Sequence, residues 1–201
     1  MIRRYHETEI EVLANLLMED GVIAVPTDTV FGVCAKMASQ NAQERLRIVK
    51  NRPKDKAFPI MCANLEQIEA LCVVNEKTRK MIRAFMPGPI TLVLQKKEEV
   101  PSFVNGGLET IAIRMATSET LEALIQKTGP LYMTSANQSG QPVATTIEEI
   151  EESCPLLDGI LIGKPSFGQA STIVACGEEL KVLREGPITL EELKKVWEDI
   201  K

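Results

Sequence analysis

Apolar positions along the chain switch between helical spacing and short unbroken runs. Thr8 to Met18 carries Ile10, Leu13, Ala14 and Leu17 at helical intervals, with Thr8 and Glu11 spaced for a capping box, and Asp20-Gly21 closes it. Val22 to Val25 is an apolar run that suits a buried strand and stops at Pro26. Asn41 to Lys50 predicts a helix with Ala42, Leu46 and Val49 inward, closed by Pro53. A strand over Pro59 to Ala63 precedes helices over Leu65 to Cys72 and Glu76 to Phe85. Met86-Pro87-Gly88-Pro89 is then a rigid turn into a strand over Ile90 to Leu94. Strands over Thr110 to Met115 and Leu131 to Met133 flank a helix over Glu119 to Ile125, and Thr146 with Glu149 caps another helix. Three closing strands follow over Ile160 to Ile162, Ser171 to Ala175 and Lys181 to Leu183. Thr189 with Glu192 caps a last helix carrying Leu193, Val196, Trp197 and Ile200. Strands and helices intermixed, with no repeat and no low-complexity linker, predict one α/β unit over residues 1–201.

Composition narrows what such a unit can do. The 201 residues are 44% apolar but only 4% aromatic, so the core is aliphatic and stacking of single-stranded bases on aromatic rings is disfavoured. A single His, His6, argues against a multi-histidine metal site and a serine-type triad. The five cysteines include no CxxC pair and are expected as small core residues in a reducing compartment. The start at Met1 has no apolar run behind its basic residues, and no 18-residue apolar stretch occurs anywhere, so no membrane partner and a cytoplasmic location are expected.

The formal charge of -5 hides an uneven distribution. Arg45, Arg47, Lys50, Arg52, Lys54 and Lys56 form a basic run in which Asp55 is the only acid. Such a run suits a compact anion better than a long nucleic-acid track, and it also suits a solvated helix end. Thr27-Asp28-Thr29, Ser135-Ala136-Asn137 and Ser171-Thr172 stand at strand ends, where hydroxyls and amides can meet a ligand or simply make a turn. Arg114 shares a strand face with Ala112 and Ala116, and burying it calls for an anion. The run Gly159 to Ser166 departs from a P-loop in its glycine spacing and in having Pro165 after Lys164, so a nucleotide would be held by side-chain cations and hydroxyls.

Seven motifs in order carry a resemblance: Pro26-Thr27-Asp28-Thr29-Val30-Phe31-Gly32, Lys50-Asn51-Arg52-Pro53, Pro87-Gly88-Pro89-Ile90-Thr91, Ile113-Arg114-Met115, Thr134-Ser135-Ala136-Asn137-Gln138-Ser139-Gly140, Ser171-Thr172-Ile173 and Arg184-Glu185-Gly186. The series resembles the YrdC-like family, the L-threonylcarbamoyladenylate synthases, from about Gly21 to Gly186. That resemblance implies a twisted open mixed sheet with helices, similar to dihydroxybutanone phosphate synthase, around a concave basic cavity. It implies a nucleotidyl transfer from ATP, L-threonine and bicarbonate to threonylcarbamoyl-AMP and pyrophosphate, the first step of N6-threonylcarbamoyladenosine formation in tRNA.

By position, the resemblance implies that Thr29, Arg114, Ser135 and Ser171 hold threonine. Lys50 and Arg52, as the catalytic cations, would face the triphosphate together with Lys56, while Thr110, Asn137, Thr145 and Arg184 would hold the rest of ATP. Mg²⁺ would arrive with the nucleotide, and a threonylcarbamoyl-transfer machinery would take the product. A second reading of the same cavity is a binding module for double-stranded RNA or tRNA. Phe31 and Val33 depart from the Tyr and Leu more usual in the family, and the histidine common near Met61 is missing. The end at Lys201 resembles the short, single-domain type.

Overall fold

The computed structural model describes residues 2–165 and 168–198; Met1, Ser166, Ile200 and Lys201, all used in the sequence reading, lie outside them. The strands are β1 (Arg4–Tyr5), β2 (Ile23–Pro26), β3 (Phe31–Lys36), β4 (Ile60–Cys62), β5 (Ile90–Gln95), β6 (Thr110–Met115), β7 (Leu131–Ser135), β8 (Gly159–Leu161), β9 (Thr172–Cys176) and β10 (Leu180–Arg184). They form one open mixed sheet in the order β1-β8-β2-β3-β7-β4-β6-β5-β9-β10. The helices are α1 (Ile10–Met18), α2 (Gln40–Lys50), α3 (Leu65–Leu71), α4 (Glu76–Phe85), α5 (Glu119–Thr128), α6 (Ile147–Ser153) and α7 (Leu190–Glu198). Among the described residues, no helix is long and apolar enough to cross a membrane.

Strand alternation divides the core. Ile23 and Val25 of β2 pack in one apolar cluster with Leu13 and Leu17 of α1 and Leu121 and Leu124 of α5. Val22 and Ala24 pack in the other, with Leu46 of α2, Ile68 of α3, Met81 of α4, Ile150 of α6 and Leu193 of α7. The first cluster draws its strand residues from β1, β8, β2, β3, β7 and β4 and stops at Met61. Met61 is the register partner of Arg114 on β6, so the face covered by α1 and α5 ends where the buried arginine begins.

Two strands escape the hydrophobic pattern. β3 follows β2 in an antiparallel hairpin with Pro26 opposite Phe31, but its first five residues are all buried, so it shows no polar alternation to mark it. Gly32 in this strand lies under the Met133 thioether, which would have to shift to admit a Cβ there. β1, only two residues long, pairs in parallel with β8 and is anchored by Arg4 to Glu148 and Glu151 of α6 at 3.0 and 3.1 Å. The capping boxes at Thr146–Glu149 and Thr189–Glu192 form as the spacing predicts. The one at Thr8–Glu11 does not. A 3₁₀ turn over Glu7–Glu9 precedes α1, and the His6 N–H donates to Glu9 Oε2 at 3.0 Å, since an earlier acid reaches that donor first. Four of the five cysteines are buried and all are free thiols, as expected.

One polar tie crosses the aliphatic interior. Lys50, 1% exposed at the end of α2, donates through Nζ to the carbonyl oxygens of Ser135 and Asn137 and to Asn137 Oδ1. The Ser139 N–H donates back to the Lys50 carbonyl at 2.9 Å, fixing the turn after β7 to α2. Lys50→Met keeps the apolar stem and strands those acceptors. A loss of about 2–4 kcal/mol is expected, read as a lower urea midpoint at unchanged slope; an unchanged midpoint would show that the tie contributes nothing.

Candidate functional site

The hairpin turn between β2 and β3 is organised by one hydroxyl. Thr27 Oγ1 accepts from the N–H groups of Thr29 and Val30 at 3.2 and 3.3 Å and donates to the Val30 carbonyl at 2.6 Å. This local turn brings Asp28 and Thr29 against Arg114 of β6. Arg114 Nη1 donates to Thr29 Oγ1 at 3.1 Å, and Nη2 donates to Asp28 Oδ1 at 2.7 Å. The arginine is 8% exposed and Asp28 is 9% exposed. Burial pulls the guanidinium below its ordinary pKa, and the Asp28 carboxylate opposes that pull.

The opposite wall comes from β5, β9 and β10. The hydroxyls of Thr91 and Ser171 lie 2.8 Å apart. Arg184 donates through Nε and Nη2 to the Ser171 carbonyl at 3.0 and 2.8 Å, and through Nη2 to Ser171 Oγ at 3.1 Å. Gly186 allows this closeness: a Cβ there would lie 2.7 Å from Ala170 O. Arg52 forms a third wall. Asn51 caps α2 in the left-handed conformation, φ 46°, and turns the chain so that Lys50 points inward while Arg52 reaches the cavity. Arg52 stacks over Phe58 at 4.8 Å and donates to the carbonyls of Lys56 and Ala57 at 3.1 and 2.6 Å. Burial lowers the pKa of both Arg52 and Arg184.

These walls enclose a cavity of about 280 Å³ at the strand ends. Of the residues given a binding role from the sequence, Thr29, Arg52, Arg114, Ser135, Ser171 and Arg184 line it, and Thr27 of the first strand-end cluster lines it with them. Lys50 and Asn137 stand behind its wall. The Lys50 ammonium is engaged by the oxygens already described rather than turned to open space, and burial lowers its pKa to about 8. Ser135 Oγ donates to Asn137 Oδ1 at 2.5 Å, so Asn137 shapes the cavity through Ser135. Thr145 lines a neighbouring hollow of about 500 Å³ with Gln138 and Gln141, and its hydroxyl donates to Glu149 at 2.9 Å. Thr110 is exposed on the same face of β6 as Arg114, about 13 Å along the strand, in a groove with Val93, Gln95 and Ala175. Lys56 is exposed and does not line the cavity; only its carbonyl, accepting from Arg52, ties it to the site.

The basic run is therefore divided by the fold. Arg45 pairs with Asp158 at 2.9 Å, Lys50 is internal, and Arg47 lies over Phe58 at 5.2 Å. In the sequence Asp28 stands only as part of a strand-end cluster, without a role of its own, and Thr91 only as part of a motif. For Asp28 a signal existed: an arginine on a buried strand needs an anion, and Asp28 is the one acid in the strand-end clusters. For Thr91 there was none, because its hydroxyl gains meaning only from Ser171 on a neighbouring strand.

Comparison with known proteins bears on this geometry. A threonylcarbamoyl-AMP synthase of Pyrococcus abyssi is 36% identical, the match covering 98% of this chain and 60% of that protein. The Bacillus subtilis protein of the same name is also 36% identical, over 95% of this chain and 57% of its own length. This chain thus spans a little under two thirds of those relatives. A protein named putative threonylcarbamoyl-AMP synthase from Methanocaldococcus jannaschii is 30% identical and is covered over 89% of its length. The crystal structure of P. abyssi Sua5 complexed with L-threonine superposes with a TM-score of 0.91 at 34% identity, over the whole of this chain and 62% of that one. Escherichia coli YciO, 24% identical and covered completely, shares the fold with a TM-score of 0.85. The family model of the Sua5, YciO and YrdC proteins, described as telomere recombination, matches residues 15–186, and the chain belongs to that family.

Proposed function

We propose that this protein is an L-threonylcarbamoyladenylate synthase, joining L-threonine, bicarbonate and ATP into threonylcarbamoyl-AMP with release of pyrophosphate. The observation that carries the reading is the set of three arginines lining one small cavity, one of them buried against the hydroxyl of Thr29. The similarity to synthases and to a Sua5 structure holding L-threonine supports it.

Arg114 takes the threonine carboxylate by the fork geometry that a guanidinium offers, with the hydroxyls of Thr29, Ser135 and Ser171 around the amino acid. Arg52 and Arg184 face the polyphosphate, and exposed Lys56, next to Arg52 through its carbonyl, is a further candidate for it. Asn137, Thr145 and Thr110 are candidates for the remainder of the nucleotide, which extends beyond the cavity. Threonine and bicarbonate condense to a carbamate with loss of water. A carbamate oxygen attacks the α-phosphorus, the bond between the α-phosphorus and the bridging oxygen breaks, and pyrophosphate leaves with that oxygen. The attacking group is already an anion, so positioning and charge neutralisation can carry the rate without a histidine base. Mg²⁺ would come bound to ATP, whose phosphate oxygens suit it. A transfer machinery then carries the threonylcarbamoyl group to tRNA.

Purified, folded protein should release pyrophosphate from MgATP only when L-threonine and bicarbonate are both present; no release under those conditions rejects the reading. Arg114→Lys keeps a cation beside Asp28 but loses the fork. The KM for threonine should rise roughly 10- to 100-fold, with a smaller change in kcat, and steady-state kinetics with ATP saturating will check it.

A further inference from the structure

The three arginines of the cavity are not electrically alike. Arg52 and Arg184 are held by backbone carbonyl oxygens, and neither has a carboxylate partner among the described residues. Arg114 alone has one, Asp28 at 2.7 Å. Asp28 does not line the cavity. It lines a separate hollow of about 460 Å³ on the other side of the turn, with Pro26, Pro87 and Thr117. Its Oδ2 is buried without a hydrogen-bond partner, and so is Arg114 Nε. A carboxylate placed only for stability would be expected to satisfy both oxygens, because each orphaned polar atom costs free energy.

Resting on the function proposed above, we infer that Asp28 is a positioning and specificity residue that cancels the charge of Arg114 from behind and so keeps polyphosphate away from the amino-acid end. Attraction of a polyanion depends on net charge, which Asp28 removes. Recognition of one carboxylate depends on directed N–H donors, which Asp28 leaves on Arg114 and holds in orientation. The triphosphate is therefore drawn to Arg52 and Arg184, which have no ion-paired carboxylate and of which Arg52 feels Asp55 only at longer range, and the two anionic substrates do not compete for one arginine.

The probe is inorganic tripolyphosphate, with L-threonine binding followed by calorimetry. On the wild-type protein, tripolyphosphate should compete with ATP and leave threonine affinity unchanged. On Asp28→Asn it should bind about tenfold tighter, the effect of roughly one uncompensated charge at short range, and should displace threonine. On Asp28→Asn/Arg114→Gln, which also removes the ligand of the threonine carboxylate, the readout is tripolyphosphate affinity alone: the tenfold gain should vanish, a result that a merely structural role for Asp28 would not produce. The inference is overturned if tripolyphosphate displaces threonine from the wild type, which decides the matter even if Asp28→Asn does not fold. It is equally overturned if folded Asp28→Asn shows no displacement, or if the double variant keeps the tighter tripolyphosphate binding. Failure of the wild type to bind threonine at all is a different result: it rejects the proposed function and the inference with it.

Discussion

The pairing of Arg114 with Asp28 is the interaction on which the site depends. A guanidinium on a central strand of an aliphatic sheet is tolerable only with a counter-charge, and the counter-charge comes from a hairpin turn more than 80 residues earlier in the chain. The turn must therefore sit against β6, which requires β7 and β4 between β3 and β6 and the register that sets Met61 beside Arg114. Lys50 meets the same constraint differently. With no carboxylate partner among the described residues, its ammonium is held by carbonyl and amide oxygens at the end of β7 and the turn after it. Two buried cations thus tie the β2–β3 turn, the end of α2 and the end of β7 around one cavity.

The architecture leaves room for that cavity by covering one face of the sheet incompletely. α1 and α5 pack over the half from β8 to β4, and the strands beyond Met61 on that face are without a helix from this cluster. On the opposite face, Leu92, Leu94, Ile111, Ile113 and Val174 are all at most 1% exposed beneath α3, α4 and α7. Strand alternation then turns Thr91, Arg114 and Ile173 to the open side, where they line the cavity. The polar residues at the strand ends do not interrupt the core because they stand where helix cover stops.

Much of the fold was legible because most of its elements bury one face. α2, α4 and the strands β5 and β6 follow their apolar periodicity within a residue or two. β3 was not legible: Phe31 to Ala35 is buried on both sides, so alternation, the signal that marks a half-buried strand, is absent. The candidate site was legible as clusters of unusual polar residues at strand ends. Its electrostatics were not, since six cations close together in sequence part company in space, with Arg45 going to Asp158 and Lys50 to the interior.

By itself, then, the sequence determined an aliphatic α/β unit, the strand-end hydroxyls, and the need of Arg114 for an anion. Periodicity, composition and the cost of burying charge are local properties of the chain. Only the tertiary structure decided which anion meets Arg114, which cations reach the cavity without an ion-paired carboxylate, and that Thr91 joins Ser171 there. Each of those depends on strand order and register, which bring together residues that local spacing cannot relate.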